Sequence, residues 1–173
     1  MTQYDVAVVG AGAVGTAIAS ELTRRGARVA LIEARGDVGS GTSKANTAIW
    51  HTGFDAKPGT LEARLVARGH RLLEERAEEF GWAIQRTGAV LVAWDDEQLS
   101  RLDGIVANAE ANGYTRARRL TVDDVYSGDP FLGPGVRGGL SIPDEGLLDP
   151  WTIPVALATD AVMNGATLML NAP

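Results

Sequence analysis

Residues 4–9 form a short, almost continuously apolar run, the pattern of a strand covered on both faces in a parallel sheet. From residue 13 to residue 25 the apolar positions switch to helical spacing. Val14, Ala17, Ile18 and Leu22 make one stripe, and Gly26 stands where the helix should stop. Residues 28–33 are a second apolar strand, which completes a strand–helix–strand unit in about 30 residues. Residues 35–59 then show little periodicity and much Gly, Ser, Thr and Asn, and a stretch of that length inside a domain is usually functional. Helical spacing resumes over residues 60–80, with Leu61, Leu65, Val66, Leu72, Leu73, Ala77 and Phe80 as the apolar side.

The second half alternates less regularly. Residues 88–94 predict a strand. Asp95 is placed to cap the next helix and Gln98 to complete a capping box, with Leu99, Leu102, Val106 and Ala109 facing inward. Residues 121–125 predict one helical turn, and residues 139–142 a strand within a Gly/Pro-rich stretch. Asp149 and Pro150 read as the cap and first residue of a last helix, which Gly165 ends. Residues 166–170 predict a final strand. Parallel-sheet domains seldom finish on an uncovered strand, so the chain is expected to be part of a longer protein.

Composition narrows the function classes. Sixteen Lys and Arg stand against 22 Asp and Glu, a formal net charge of −6. No basic footprint for nucleic acid is present, and Arg116, Arg118 and Arg119 read as a solvated face. There is no cysteine and there are two histidines, so thiolate chemistry is excluded and no metal site is expected. No apolar run is long enough to span a bilayer, and the first strand leaves no room for a signal peptide, so the expected compartment is the cytoplasm.

The chemistry begins at Gly10. Gly10, Ala11, Gly12, Ala13, Val14 and Gly15 make a G-x-G-x-x-G turn between strand and helix. In such a turn the first glycine allows the sharp bend, the second allows close approach of a pyrophosphate, and the third lets helix pack on strand. The helix N-terminus then offers free N–H groups and a partial positive charge to phosphate. Glu33 ends the second strand 18 residues after Gly15, placed to accept a ribose hydroxyl, with Ala34 beside it. This is a Rossmann-type dinucleotide site. Spacing alone does not separate FAD from NAD.

The next segment favours FAD, against the alternative of an NAD-dependent enzyme with the same start. Residues 39–59, GSGTSKANTAIWHTGFDAKPG, resemble the flavin-approach segment of FAD-dependent oxidoreductases of the D-amino-acid-oxidase superfamily. Within it the bacterial glycerol-3-phosphate dehydrogenases of the anaerobic large-subunit type and the L-2-hydroxyglutarate dehydrogenases are the most similar. Residues 86–93, RTGAVLVA, are similar to a strand of that family's substrate domain, and residues 146–150, GLLDP, to its return to the FAD domain. The resemblance implies an α/β fold. It comprises an incomplete Rossmann-like FAD-binding domain over residues 1–83 and 146–173, with an inserted α+β substrate-domain segment over residues 84–145. Thr42, Ser43, Asn46 and Thr47 are then flavin contacts, being small hydrogen-bonding side chains next to a nucleotide turn. Their alternative is a solvated loop.

By the same resemblance the cofactor is FAD, and the substrate a phosphorylated or carboxylated alcohol oxidised by hydride transfer to flavin N5. Glycerol 3-phosphate heads the candidates. L-2-Hydroxyglutarate, an amine or an amino acid is the alternative, as is an inactive FAD-binding fragment. A quinone is the implied electron acceptor, with partner subunits and peripheral association at the inner face of the membrane. His51 falls where the family's chain meets the flavin ring. It is the candidate proton acceptor, with a flavin contact or a structural role as alternatives. His70, Arg86, Arg137 and the tryptophans read as packing or ion-pairing residues, with Trp50, next to His51, the partial exception as a flavin stacker.

Overall fold

A computed structural model describes residues 3–172, and these divide into two compact units. The first comprises Met1–Ala48, Arg76–Ala83 and Leu148–Pro173; the second comprises Ile49–Glu75 and Ile84–Leu147. The division expected from sequence is thus redrawn. Residues 49–75, with His51 and most of the long helix, belong to the unit that holds the inserted segment.

In the first unit, strand β1 (Val6–Val9) leads through the glycine turn into helix α1 (Ala13–Arg24) and back into β2 (Val29–Ile32). β1 and β2 pair in parallel with Val8 opposite Leu31. Later in the chain come β3 (Ile49–Trp50), α2 (Leu61–Phe80), β4 (Ile84–Gln85), β5 (Ala89–Ala93), α3 (Asp96–Ala111), β6 (Arg118–Leu120), α4 (Val122–Gly128), β7 (Gly138–Ile142), β8 (Gly146–Leu148), α5 (Thr152–Met163) and β9 (Thr167–Met169). β9 returns to pair in parallel with β2, Leu168 opposite Leu31, giving the order β1-β2-β9. The core of this unit gathers Val8, Ala19, Val29, Leu31, Val38, Ala158, Ala161 and Ala166.

Two expectations are corrected here. β1 is not covered on both faces: among the described residues it lies at a sheet edge, and Val9 is 83% exposed. The apolar stripe of α1 is also only partly inward, for Val14 and Ile18 are 74% and 46% exposed while Leu22 packs on the core. The buried face is Thr16, Ala19, Ser20 and Thr23. It packs against α5, whose Ala158 and Ala161 are equally small. The hydroxyls are harmless there: Thr16 and Thr23 donate to the carbonyls of Gly12 and Ala19, and Ser20 to Asp160.

The second unit holds the antiparallel sheet β5-β7-β6 and the small sheet β3-β8-β4. α3 packs on the first of these through Leu102 and Ala109, with Leu99, Ile105 and Val106 around them. Its start is as expected: Asp95 accepts from Gln98 N–H at 2.7 Å. The reciprocal bond reaches one residue further back, Gln98 accepting from Trp94 N–H at 2.8 Å. α4 is longer than the predicted single turn and carries a full capping box, Thr121 with Asp124. The arginine-rich residues 116–119 run into strand β6, paired to β7 with Arg119 opposite Leu140, and Arg116, Arg118 and Arg119 are exposed, the solvated face expected of them. α5 starts two residues later than Pro150, although Asp149 still accepts from Trp151 N–H at 2.9 Å and from the Thr152 hydroxyl.

Candidate functional site

The glycine turn is built by its own sterics. Gly10 has φ +95°, a left-handed conformation costly for any residue with a Cβ. A Cβ on Gly15 would stand 1.8 Å from Gly10 O, so the third glycine of the motif is compulsory. Gly12 caps α1 without a side chain, and the first turn of α1 carries no acidic residue. The positive end of the helix is therefore not neutralised from within its own first turn. An oxyanion-rich dinucleotide fits this cradle.

Glu33 and Ser43 tie the turn to its surroundings. One Glu33 oxygen accepts from Ala11 N–H at 2.8 Å and the other from Arg35 N–H at 2.9 Å. These bonds, Ala11 first, hold its carboxyl below the usual range, so it is a carboxylate at neutral pH. Ser43 Oγ accepts from Ala13 N–H at 2.9 Å, at the head of α1. Gly39 N–H donates to Ala11 O at 2.8 Å. The nucleotide turn, the end of β2 and the Gly/Ser-rich loop thus meet in one place.

The remaining loop residues are less direct. Thr42 opens a short 3-10 turn, Thr42–Lys44. Asn46 is consumed by the loop itself: its amide donates to the carbonyls of Thr42 and Ser43, each at 3.1 Å, and accepts from Ala48 N–H at 2.7 Å. Thr47 and Ala34 are exposed. Lys44 pairs with Asp37 at 2.6 Å.

His51 lies in the second unit. Its ring is partly exposed, 38% by side chain, and stacks on Phe54 at 5.8 Å between centroids. Nδ1 lies 3.2 Å from Glu145 Oε1 and 3.2 Å from Gly53 N, whereas Nε2 has Asp55 Oδ1 at 3.8 Å. The Glu145 contact raises the pKa of His51 above its ordinary 6.5, against the opposing effect of partial burial. Glu145 was not singled out from sequence, because a lone acid in a Gly/Pro-rich stretch carries no pattern.

The bland readings of His70, Arg86 and Arg137 fit what the structure shows. Trp50 is buried, stacked on His70 at 3.9 Å, and donates to His70 O at 3.0 Å. Arg86 pairs with Glu74 and lies over the Trp50 ring, and Arg137 pairs with Asp96 at 3.0 Å. Trp94 and Trp151 are exposed, unlike the packing residues expected. No helix among the described residues is long and apolar enough to cross a membrane.

Comparison with known proteins adds a family pattern. The family described as FAD dependent oxidoreductase matches residues 5–173. The chain is 38% identical over 168 residues to the glycerol 3-phosphate dehydrogenase of Caloramator mitchellensis, covering 97% of this chain and 35% of that one. It is 29% identical over 149 residues to the mitochondrial L-2-hydroxyglutarate dehydrogenase of Dictyostelium discoideum, covering 84% and 33%. Among solved structures, dithionite-reduced L-α-glycerophosphate oxidase from Mycoplasma pneumoniae with FAD bound gives a TM-score of 0.91 at 27% identity, over 99% of this chain and 45% of that one. The chain therefore spans about a third to just under half the length of these relatives.

Proposed function

Because the chain belongs to the FAD dependent oxidoreductase family, we propose that it forms part of a dehydrogenase that oxidises sn-glycerol 3-phosphate to dihydroxyacetone phosphate. The observation that carries the substrate is the likeness to a glycerol 3-phosphate dehydrogenase along nearly the whole chain. FAD, when bound, supplies the acceptor for the hydride that leaves the alcohol carbon.

The chain's own residues have the following roles. The backbone of Gly10, Ala11, Gly12, Ala13, Val14 and Gly15 receives the pyrophosphate at the head of α1. Glu33, with Ala34, takes the ribose, since its carboxylate keeps acceptor capacity beyond the two N–H bonds it already accepts. Ser43 and Thr42 line the approach with hydroxyls, and Asn46 and Thr47 shape the loop. His51 accepts the hydroxyl proton of the substrate as its carbonyl forms. The onward acceptor is a quinone.

A second reading, L-2-hydroxyglutarate as substrate, is favoured by the Dictyostelium relative. One experiment separates the two. The protein is reconstituted with FAD, desalted and made anaerobic, and its visible spectrum is followed on adding each substrate. Bleaching by glycerol 3-phosphate alone supports the first reading, and bleaching by L-2-hydroxyglutarate alone replaces it with the second. A protein that retains no flavin overturns the cofactor assignment of these residues.

A further inference from the structure

We propose that Glu145 is the positioning residue for His51: its buried carboxylate accepts a hydrogen bond from Nδ1–H, keeps the proton of the neutral ring on Nδ1 and so leaves Nε2 as the unprotonated nitrogen. This rests on the reading of His51 as proton acceptor.

The pairing is written into the backbone. β3 and β8 run antiparallel with Ile49 opposite Leu147 and Trp50 opposite Gly146. One further step of that register sets His51 opposite Glu145. Gly146 fixes the approach: a Cβ there would stand 2.5 Å from Gln85 O and 3.2 Å from the Trp50 ring. Glu145 also anchors its own turn, donating its N–H to Ile142 O at 3.3 Å and accepting from Gly88 N–H at 3.0 Å.

The Glu145 side chain is 4% exposed, and a carboxylate so buried needs donors. One oxygen, Oε1, collects them: Thr52 N–H at 2.6 Å, the Thr52 hydroxyl at 2.8 Å and His51 Nδ1 at 3.2 Å. Burial alone would push this carboxyl upward. The His51 ring first, then Thr52, more than reverse that, and the group is held below its ordinary value. It is therefore an anion facing Nδ1. Gly53 N–H also points at Nδ1 from 3.2 Å, a bond that needs Nδ1 unprotonated, and its lone pair would then oppose the carboxylate at the same 3.2 Å. A charge-assisted bond from a protonated Nδ1 outweighs the neutral one from Gly53. The other charged groups that bear on the ring are Asp55, in its own loop, and Glu62 on α2, both acidic. All three favour the imidazolium, and only Glu145 contacts Nδ1. The arrangement gives the ring one tautomer, one orientation and a raised proton affinity.

The test uses the FAD-loaded protein with 15N-labelled histidine. His51 is assigned by the signals that disappear in H51N. Above its titration the ring should show a protonated Nδ1 and an unprotonated Nε2. In E145Q that preference should weaken, and the proton affinity of His51 should fall about tenfold. Turnover of E145Q should drop about 10–100-fold in kcat with KM little changed. Its low-pH limb should move to lower pH. E145D, which keeps the charge one methylene further away, should lie between. A neutral His51 protonated on Nε2 overturns the proposal, as does a proton affinity unmoved in both Glu145 variants. Should H51N instead keep full turnover, the proton-acceptor reading fails while the tautomer measurement still decides the pairing.

Discussion

Ser20 on α1 donates its hydroxyl to Asp160 on α5 at 2.6 Å, and Arg24 grips the same carboxylate through both its oxygens, at 2.7 and 2.8 Å. Two helices that meet through alanines bury little apolar area, so this polar clamp carries an unusual share of their association. D160A should destabilise the protein by about 1–3 kcal/mol in urea titration; a loss within about 0.5 kcal/mol would mean that the clamp is decorative.

The same clamp predicts an acid sensitivity. Asp160 is held below its ordinary 3.8, by Arg24 first and Ser20 after it. A carboxyl lowered on folding contributes stability that is fully present above the unfolded value and lost as pH falls through the folded one. The urea midpoint should therefore decline more steeply below about pH 4 in the wild type than in D160N. Parallel declines would remove Asp160 from the account of acid unfolding.

The glycine motif makes two different predictions at neighbouring positions. G15A drives a methyl against backbone at 1.8 Å, and should cost about 1–3 kcal/mol or more together with FAD retention. G12A meets only the Ser43 hydroxyl, at 3.0 Å, the end of a side chain that can turn away. It should keep most of its thermal stability yet bind FAD more weakly, which flavin retention after desalting would measure. Equal stability losses in the two variants would contradict the distinction.

E33Q should separate charge from shape. A glutamine can still accept from Ala11 N–H, but its amide nitrogen then faces Arg35 N–H, donor against donor. FAD affinity is expected to fall about tenfold or more, measured by equilibrium titration. Unchanged affinity would exclude Glu33 as a ribose ligand.

W50A removes a buried ring that stacks on His70 and donates to its carbonyl. The expected cost is about 3–5 kcal/mol in chemical denaturation. A cost near zero would show that the β3–β8 ladder holds without it.

Patterns confined to a few consecutive residues were readable in the sequence. The glycine turn, the Asp95 cap and the inward face of α3 each depend on spacing within about one or two helical turns. Missed features depended on partners far along the chain. Val14 and Ile18 form the better apolar stripe by periodicity, but the partner of α1 is a helix of small residues, so Ala19 and Ser20 face inward instead. β3, β4 and β8 are two or three residues long, below the length at which alternation can be recognised, and exist because they pair with each other. The same distance in sequence hid Glu145: 93 residues separate it from Thr52, and only strand register joins them.

The outer edge of β1 has a colloidal consequence. An unpaired strand edge is a template for another backbone, and here Val9 stands exposed at its end, with Val14 and Ile18 exposed on α1. In a polypeptide limited to the described residues that edge is open to pairing with another backbone. The net charge of −6 opposes this at low salt, and that repulsion fades as ionic strength rises and shortens its range. Added salt would therefore shift this stretch of chain toward self-association.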